Sequence, residues 1–163
     1  MSAMKQAHLP DLDATSRLGA ALGNVLNDGD VIGLSGPVGA GKTTLAREII
    51  KSAAGASDVP SPTFSIVETY GTAAGWPIWH FDLYRLESAT EVWEAGLEAA
   101  LEAGVCLIEW PERIEAFLPR TTLAIGLTPT AEGRLVRFRS AGDFGRWQGR
   151  LAQIFDAAQL SES

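Results

Sequence analysis

The chain has 163 residues, of which 46% are hydrophobic and 20% are charged, and its formal net charge is -7. This composition predicts a single globular domain over residues 1–163 and excludes a disordered chain. The excess of acidic residues argues against a broad basic surface for direct nucleic-acid binding.

The first part of the chain predicts a helix and then a buried strand. Residues 1–8 are either a loose segment or a first edge strand. Asp13 is a good N-cap for a helix whose apolar residues recur at helical spacing, and Asn-Asp-Gly at 27–29 ends it. Residues 30–35 are a short apolar run that predicts a strand.

The eight residues that follow this strand, 36–43, match G-x-x-x-x-G-K-[ST], the loop that binds nucleotide phosphates. A helix is predicted over 44–51, ending near Gly55, so the motif has the strand and the helix that it requires. Glycines let backbone N–H groups point at an anion, Lys42 adds a charge for the β- and γ-phosphates, and the Thr43 hydroxyl suits Mg²⁺. A glycine-rich turn without a ligand is the alternative. The predicted nucleotide-binding residues of this segment are Gly36, Val38, Gly39, Ala40, Gly41, Lys42, Thr43 and Thr44.

The next segment predicts a connector and a hairpin. Residues 57–62 contain two prolines, which forbid regular structure there. Residues 63–70 are rich in β-forming residues, and residues 78–82 have the same character after a turn. We therefore predict two antiparallel strands.

A helix and a buried strand are predicted to follow. Ser-Ala-Thr-Glu at 88–91 has the capping-box form, and the helix that it starts is bent or interrupted at Gly96 and ended by Gly104. Residues 105–108 are continuously apolar, as in a strand covered on both faces. Cys106, the only cysteine, lies within this run, which is typical of a buried residue in a reducing compartment. Because the N-terminus lacks a signal pattern, and no apolar run approaches the roughly 20 residues of a membrane span, we expect a cytoplasmic protein.

The last part of the chain predicts a second hairpin and a closing helix. The hairpin comprises residues 122–127 and 134–139, and the helix runs over 144–160. Four arginines are most simply a solvated basic face, with a partner or lid contact as the functional alternative: Arg137, Arg139, Arg146 and Arg150.

Two acidic residues lie at the ends of predicted strands, where a parallel sheet places its site. Glu109 follows the apolar run 105–108, and Asp82 ends the strand that begins at residue 78. Phosphoryl transfer needs an acid near Mg²⁺ and a group that orients the attacking water, so both are candidates. The structural alternatives are a strand-end cap or an ion pair with Arg113 for Glu109, and an ion pair with Arg85 for Asp82.

Three further residues are weaker candidates. Thr63 follows a proline at a bend and could reach the γ-phosphate as a switch residue, or could only satisfy the turn. Trp110 follows Glu109, but tryptophans are mostly core or interface residues. His80 shares a strand face with Asp82, yet a lone strand histidine is more often structural than catalytic.

These motifs resemble the TsaE (YjeE) family. The matching segments are residues 36–44, Ser-Pro-Thr-Phe at 61–64, His-Phe-Asp-Leu-Tyr-Arg-Leu at 80–86 and Leu-Ile-Glu-Trp-Pro-Glu at 107–112, in the same order and spacing. The resemblance covers residues from about 9 to 120. Together with the predicted elements it implies an α/β, three-layer P-loop NTPase fold, in which helices flank a mixed sheet with a parallel core and antiparallel strands.

The resemblance also implies a function. It implies a Mg²⁺-dependent ATPase that binds ATP and ADP, is weak alone, and serves the bacterial synthesis of threonylcarbamoyladenosine (t6A) in tRNA. The implied partners are TsaD- and TsaB-type proteins, with TsaD carrying the transfer chemistry, so the ATPase does not act on tRNA directly. A small-molecule P-loop kinase and a nucleotide-dependent interaction module without turnover are the alternatives.

Residue roles follow from the resemblance in the same way. It implies that Lys42 contacts the phosphates and that Thr43 and Glu109 hold Mg²⁺. Asp82 would be a catalytic or magnesium-side acid. The remaining implied roles are a switch-like Thr63, an adenine-side Thr15, and Trp110 beside the active site near the partner surface.

Overall fold

The computed structural model describes residues 3–55, 66–141 and 144–163. Within these ranges the strands are β1 (Ala3–Leu9), β2 (Val31–Ser35), β3 (Val67–Tyr70), β4 (Ile78–Asp82), β5 (Val105–Glu109), β6 (Leu123–Thr130) and β7 (Gly133–Ser140). The α-helices are α1 (Leu12–Asn24), α2 (Lys42–Ala54), α3 (Ala89–Glu94), α4 (Leu97–Glu102) and α5 (Gln148–Ala157). Single 3₁₀ turns lie at Pro111–Arg113, Glu115–Phe117 and Gly145–Trp147. None of the described helices is long and apolar enough to cross a membrane.

The strands form one mixed sheet in the order β1-β7-β6-β2-β5-β4-β3. β2 is parallel to both β5 and β6, and β4 is parallel to β5, whereas the outer pairs are antiparallel. This arrangement confirms the mixed sheet with a parallel core and both predicted hairpins, β3–β4 and β6–β7. It also makes residues 3–9 an edge strand, one of the two alternatives for the N-terminus.

Two hydrophobic cores lie on the two faces of the sheet. One lies between the sheet and α1, α2 and α5, and the other lies under α3 and α4. Leu107 of β5 belongs to the first core, and Cys106 and Ile108 belong to the second, because successive strand residues point to opposite faces. The strand is thus covered on both faces, as predicted. Burial raises the pKa of the Cys106 thiol to about 12, which makes it a poor nucleophile.

One helix start and one set of capping contacts differ from the sequence prediction. The N-cap of α1 is Asp11 and not Asp13: an Asp11 carboxylate oxygen accepts a hydrogen bond from the Ala14 N–H at 2.8 Å. Asp13 instead lies in the first turn, where its charge suits the helix dipole. Ser88 is the N-cap of α3 as predicted, but its side chain makes no capping bond, and Glu91 accepts from the Glu87 N–H at 3.0 Å. The capping box therefore does not form.

Other boundaries are partly confirmed. Gly96, with φ of 106°, separates α3 from α4, and Gly55 caps the end of α2. The closing helix is shorter than predicted, because a 3₁₀ turn precedes α5. The predicted connector 57–62 and residues 63–65 of the following strand lie outside the described residues.

The prediction of a solvated basic face is wrong for Arg150, which is mostly buried, whereas Arg146 is exposed as predicted. Arg150 and Arg146 contact the carboxylate of Asp30, which is fully buried. Arg137 is half-buried, and Arg139 is exposed. The error arose because α5 packs near the start of β2 and joins residues that are 120 positions apart in the chain.

Candidate active site

The loop between β2 and α2 has the backbone conformation that its glycines predict. Gly36, Gly39 and Gly41 have φ of 140°, 84° and 103°, which other residues rarely adopt. A Cβ on Gly36 would also collide with the backbone of Leu127. Since α2 begins directly after Gly41, its free N–H groups and its positive dipole end open onto the loop. This arrangement binds anions.

Lys42 folds back over this loop. Its Nζ donates to the carbonyl oxygens of Gly36 and Pro37, at 2.6 and 2.9 Å, and lies 4.2 Å from the centroid of the Trp110 ring. Burial lowers the pKa of Lys42, and the negative charge of Glu109 is the largest of the effects that oppose this shift. An ammonium group held by neutral acceptors can exchange them for phosphate oxygens.

Glu109 is the centre of a hydrogen-bonded group at the carboxyl ends of the parallel strands. Thr43 Oγ1 donates to Glu109 Oε1 at 2.7 Å, and His80 Nε2 lies 2.7 Å from Glu109 Oε2. Glu109 and His80 are only 1% and 0% exposed. The strand order explains the meeting, because β5 lies between β2, which leads to Thr43, and β4, which carries His80.

The oxygens of Thr43 and Glu109 fit Mg²⁺. Hydroxyl and carboxylate oxygens are hard ligands, and Mg²⁺ at nucleotide sites is usually held by one or two protein oxygens together with phosphates and water. Among the described residues, no group of three or more His, Cys, Asp or Glu side chains is placed to hold a metal ion. The donor set therefore suits a Mg²⁺ ion that a nucleotide would help to hold.

Asp82 lies beside Glu109. The two residues are paired in register at the ends of β4 and β5, and Asp82 Oδ1 accepts from the Tyr84 N–H at 3.1 Å. Burial raises the pKa of Asp82; the Tyr84 hydrogen bond opposes this, and the charge of Glu109 adds to it. In the described part of the chain, neither acid forms the ion pair offered as its structural alternative. Arg113 instead donates to the carbonyl oxygens of Tyr84 and Leu86.

A cavity of about 300 Å³ brings most of the predicted residues together. It is lined by Val38, Gly39, Gly41, Lys42, Thr43, Thr44, Asp82, Glu109 and Trp110, and also by Tyr84 and Arg134. A larger groove of about 720 Å³ lies along β6, on the other side of the loop. Its lining includes Gly36 but none of Lys42, Asp82 and Glu109, so the chemistry favours the smaller cavity.

Gly36, Ala40 and Thr15 do not line this cavity, and Thr63 lies outside the described residues. Thr15 is buried on α1, with its hydroxyl 3.5 Å from the Asp11 carbonyl oxygen, and it does not line the cavity. Its adenine-side role stays a prediction. Thr63 lies outside the described residues, so its switch role also stays a prediction.

Sequence reasoning did not predict that Arg134 lines the cavity or that His80 contacts Glu109. Arg134, from the start of β7, lines the cavity, and its Nε donates to the Ala40 carbonyl oxygen at 2.6 Å. Nothing in its local sequence indicates this, because only the return of the β6–β7 hairpin brings it to the loop. His80 had one usable signal, its alternation with Asp82 on the same strand.

Trp110 has an unusual backbone conformation, and its ring packs over the site. Its φ of 63° is in the left-handed region, which non-glycine residues seldom adopt, and its N–H donates to the Leu34 carbonyl oxygen at 3.1 Å. Its ring packs on Tyr84, with ring centroids 5.1 Å apart, and also covers the Lys42 ammonium. Strained conformations of this kind concentrate at functional sites.

Comparisons with known proteins decide the family. A family model described as threonylcarbamoyl adenosine biosynthesis protein TsaE matches residues 9–136. The chain belongs to the TsaE family. A TsaE-family relative from Rickettsia felis, named tRNA threonylcarbamoyladenosine biosynthesis protein TsaE, is 39% identical over 123 residues, covering 75% of this chain and 71% of the relative. The TsaE protein of the same name from Nostoc sp. is 39% identical over 135 residues, covering 80% and 82%.

A solved structure supports the same TsaE-type fold. The crystal structure of Bacillus subtilis YdiB matches with a TM-score of 0.76 and 26% identity, over 96% of this chain and 97% of that one. The predicted fold class and the resemblance to the TsaE family are therefore confirmed.

Proposed function

We propose that this protein is a Mg²⁺-dependent ATPase that serves t6A biosynthesis in tRNA. The observation that carries the proposal is the meeting of Thr43, Lys42 and Glu109 at the phosphate loop. Membership of the TsaE family supports the pathway. The anion-binding loop and the hard oxygen donors beside it support the nucleotide and the metal.

Each residue then has a role in the hydrolysis of ATP to ADP and phosphate. The loop N–H groups bind the phosphates, and Lys42 exchanges the Gly36 and Pro37 carbonyls for phosphate oxygens. Thr43 and Glu109 would hold Mg²⁺, and the bound ion would neutralise the negative charge of the phosphates. Asp82, next to Glu109, accepts a hydrogen bond from the attacking water. Thr15 on the adenine side and Thr63 near the γ-phosphate complete the proposed site.

TsaD- and TsaB-type proteins are the proposed partners. The resemblance assigns the transfer chemistry to TsaD, and a chain with net charge -7 gives no support for direct tRNA binding. Val38 and Tyr84 line the cavity and are 72% and 47% exposed. Apolar side chains exposed at a cavity suit a protein contact that would cover it and exclude water. We therefore expect weak hydrolysis by the chain alone and more with partners. The proposal also includes the cytoplasmic location that the sequence analysis predicts.

Phosphate release from ATP and Mg²⁺ tests the proposal. The wild type, Lys42→Ala and the matched control Lys51→Ala should be assayed alone and with the TsaD- and TsaB-type proteins. Lys51 is partly exposed in the last turn of the same helix, so its loss should not affect hydrolysis. Lys42→Ala should release phosphate at the background rate. The proposal fails if the wild type with partners does no better than background, or if Lys42→Ala matches the wild type.

A small-molecule P-loop kinase is the second candidate, because such kinases bring arginines to the transferred phosphate. Arg134 is an arginine from the C-terminal part of the chain that lines the cavity. It comes from a β-hairpin and is bonded to the loop, however, and not from a closing lid. Phosphate release in the absence of any acceptor would reject the kinase, and a phosphorylated acceptor would reject the ATPase.

A further inference from the structure

We propose that His80 is a positioning residue that holds the Glu109 carboxylate in the orientation needed to receive Mg²⁺. The inference rests on the proposed function, which assigns Glu109 and Thr43 to the metal. It adds to that function because neither the family resemblance nor the phosphate loop gives His80 a role.

The two oxygens of the Glu109 carboxylate have different partners. Thr43 Oγ1 donates to Oε1, and His80 Nε2 is on Oε2, each at 2.7 Å. The side chains of His80 and Glu109 are 0% and 2% exposed, so solvent has little access to this bond. A carboxylate held at both oxygens from two sides has its orientation fixed.

The two ring nitrogens of His80 have different surroundings. Nε2 lies 2.7 Å from Glu109 Oε2, and the Nε2–H tautomer donates a hydrogen bond to it. Nδ1 is buried and has no hydrogen-bond partner in the described residues. The contact with Glu109 is therefore the one hydrogen bond of this ring in the described part of the chain.

The two partners of Glu109 differ in their relation to the proposed metal. The Thr43 hydroxyl oxygen is itself a proposed ligand, so Thr43 would contact both Mg²⁺ and Glu109. His80 contacts the other carboxylate oxygen, Oε2, and does not line the cavity. His80 would therefore hold the carboxylate without touching the nucleotide or the metal.

The strand geometry supplies His80 at the required place. His80 and Asp82 point to the same face of β4, two residues apart, and Asp82 is in register with Glu109 of β5. β4 thus carries Asp82, the proposed catalytic acid, and two residues earlier His80, which contacts Glu109 of the neighbouring strand β5. Because His80 contacts the proposed metal-side acid, its replacement should lower Mg²⁺ affinity and leave the affinity for metal-free nucleotide unchanged.

The test compares two amide replacements of His80. The side-chain N–H of His80→Gln can reach the position of Nε2, whereas that of His80→Asn ends near the position of Nδ1 and falls short of Glu109. The chain's only other histidine provides the control, His8→Gln, because His8 is exposed on β1. ATP affinity should be measured by isothermal titration calorimetry with saturating Mg²⁺ and again in EDTA, with thermal unfolding as the check on folding.

We expect His80→Asn to reduce the gain in ATP affinity that Mg²⁺ provides by about 10- to 100-fold, with unchanged affinity in EDTA. His80→Gln should recover most of the gain, and His8→Gln should equal the wild type. Two results would overturn the inference alone: a folded His80→Asn that keeps the full gain, or equal losses with Mg²⁺ and in EDTA, which would show a purely structural role. A wild type that binds no ATP would overturn the proposed function and this inference with it.

Discussion

Two buried carboxylates, Asp30 and Glu109, lie at opposite ends of the parallel strands, and they have different hydrogen-bond and ion-pair partners. Asp30, just before β2, is fully buried, and the Arg150 guanidinium contacts its two oxygens at 2.6 and 2.9 Å, with Arg146 at 3.1 Å. Glu109, at the end of β5, is as deeply buried but contacts a hydroxyl and an imidazole. Asp30 has its counter-charge within the chain and ties α5 to the sheet. Glu109 has no guanidinium partner among the described residues, and its proposed counter-charge is a Mg²⁺ ion bound with the nucleotide.

The difference shows that burial alone does not indicate a functional acid. A buried carboxylate is expensive unless it is paired, so the informative question is which partner it has. Guanidinium groups that donate to a carboxylate from the same chain indicate a structural role. A carboxylate that contacts a hydroxyl and an imidazole beside an anion-binding loop suits the proposed site, which a ligand would complete. The following predictions use matched substitutions to separate the two cases.

The largest expected effect is on stability, from Asp30→Asn. The change leaves two guanidinium groups without their counter-charge, one of them on the mostly buried Arg150, and should lower the free energy of unfolding by about 3 kcal/mol. Urea unfolding measures this, and ATP affinity of the folded variant should match the wild type. A variant as stable as the wild type would show that Asp30 does not hold α5 to the sheet.

Replacing the other carboxylate, that of Glu109, by an amide should affect ATP hydrolysis strongly and stability little. Glu109→Gln keeps the shape and can still bond to Thr43 and His80, so the free energy of unfolding should change little. Loss of the charge on the metal side should reduce ATP hydrolysis by about 100-fold, and ATP binding in EDTA should be unaffected. If hydrolysis and Mg²⁺ dependence are both unchanged, Glu109 is not the metal-side acid.

Thr43→Ala tests whether the neutral donor to Glu109 is also a metal ligand. Loss of the hydroxyl should weaken Mg²⁺-ATP binding by about tenfold without unfolding the chain. The matched control is Thr43→Ser, which keeps the hydroxyl and should behave like the wild type. Calorimetric titration of both variants measures the difference, and normal hydrolysis by a folded Thr43→Ala would contradict the assignment.

The smallest effect is expected from the charge of Asp82, which is half-buried. Burial raises its pKa above the ordinary 3.8, so between 3.8 and its folded pKa the folded chain keeps a proton that the unfolded chain releases. Stability therefore falls as pH rises through this interval, and the penalty stays constant at higher pH. Asp82→Asn removes the penalty, so its stability relative to the wild type should rise from acidic to neutral pH in urea unfolding. A difference that does not vary with pH would contradict this.

Local patterns predicted the elements well and their distant contacts poorly. The glycines of residues 36–41 predicted the loop, and the apolar run 105–108 predicted a strand between two cores. Nothing local distinguished Arg150, which pairs with Asp30, from the exposed Arg139. The ion pair of Glu109 with nearby Arg113, one structural alternative for this acid, does not form among the described residues, since closeness in sequence does not set the direction of a side chain at the end of a strand.

The sequence by itself determined the phosphate loop, the strands that carry Asp82 and Glu109, and the family, because these depend on residue types at fixed local spacing. Only the tertiary structure decided that Glu109 lies between Thr43 and His80, that Arg134 reaches Ala40, and that Asp30 is neutralised by α5. These contacts depend on strand order. β5 lies between β2 and β4, and all three strands lie inside the sheet. This strand order is a property of the whole core and not of any one segment.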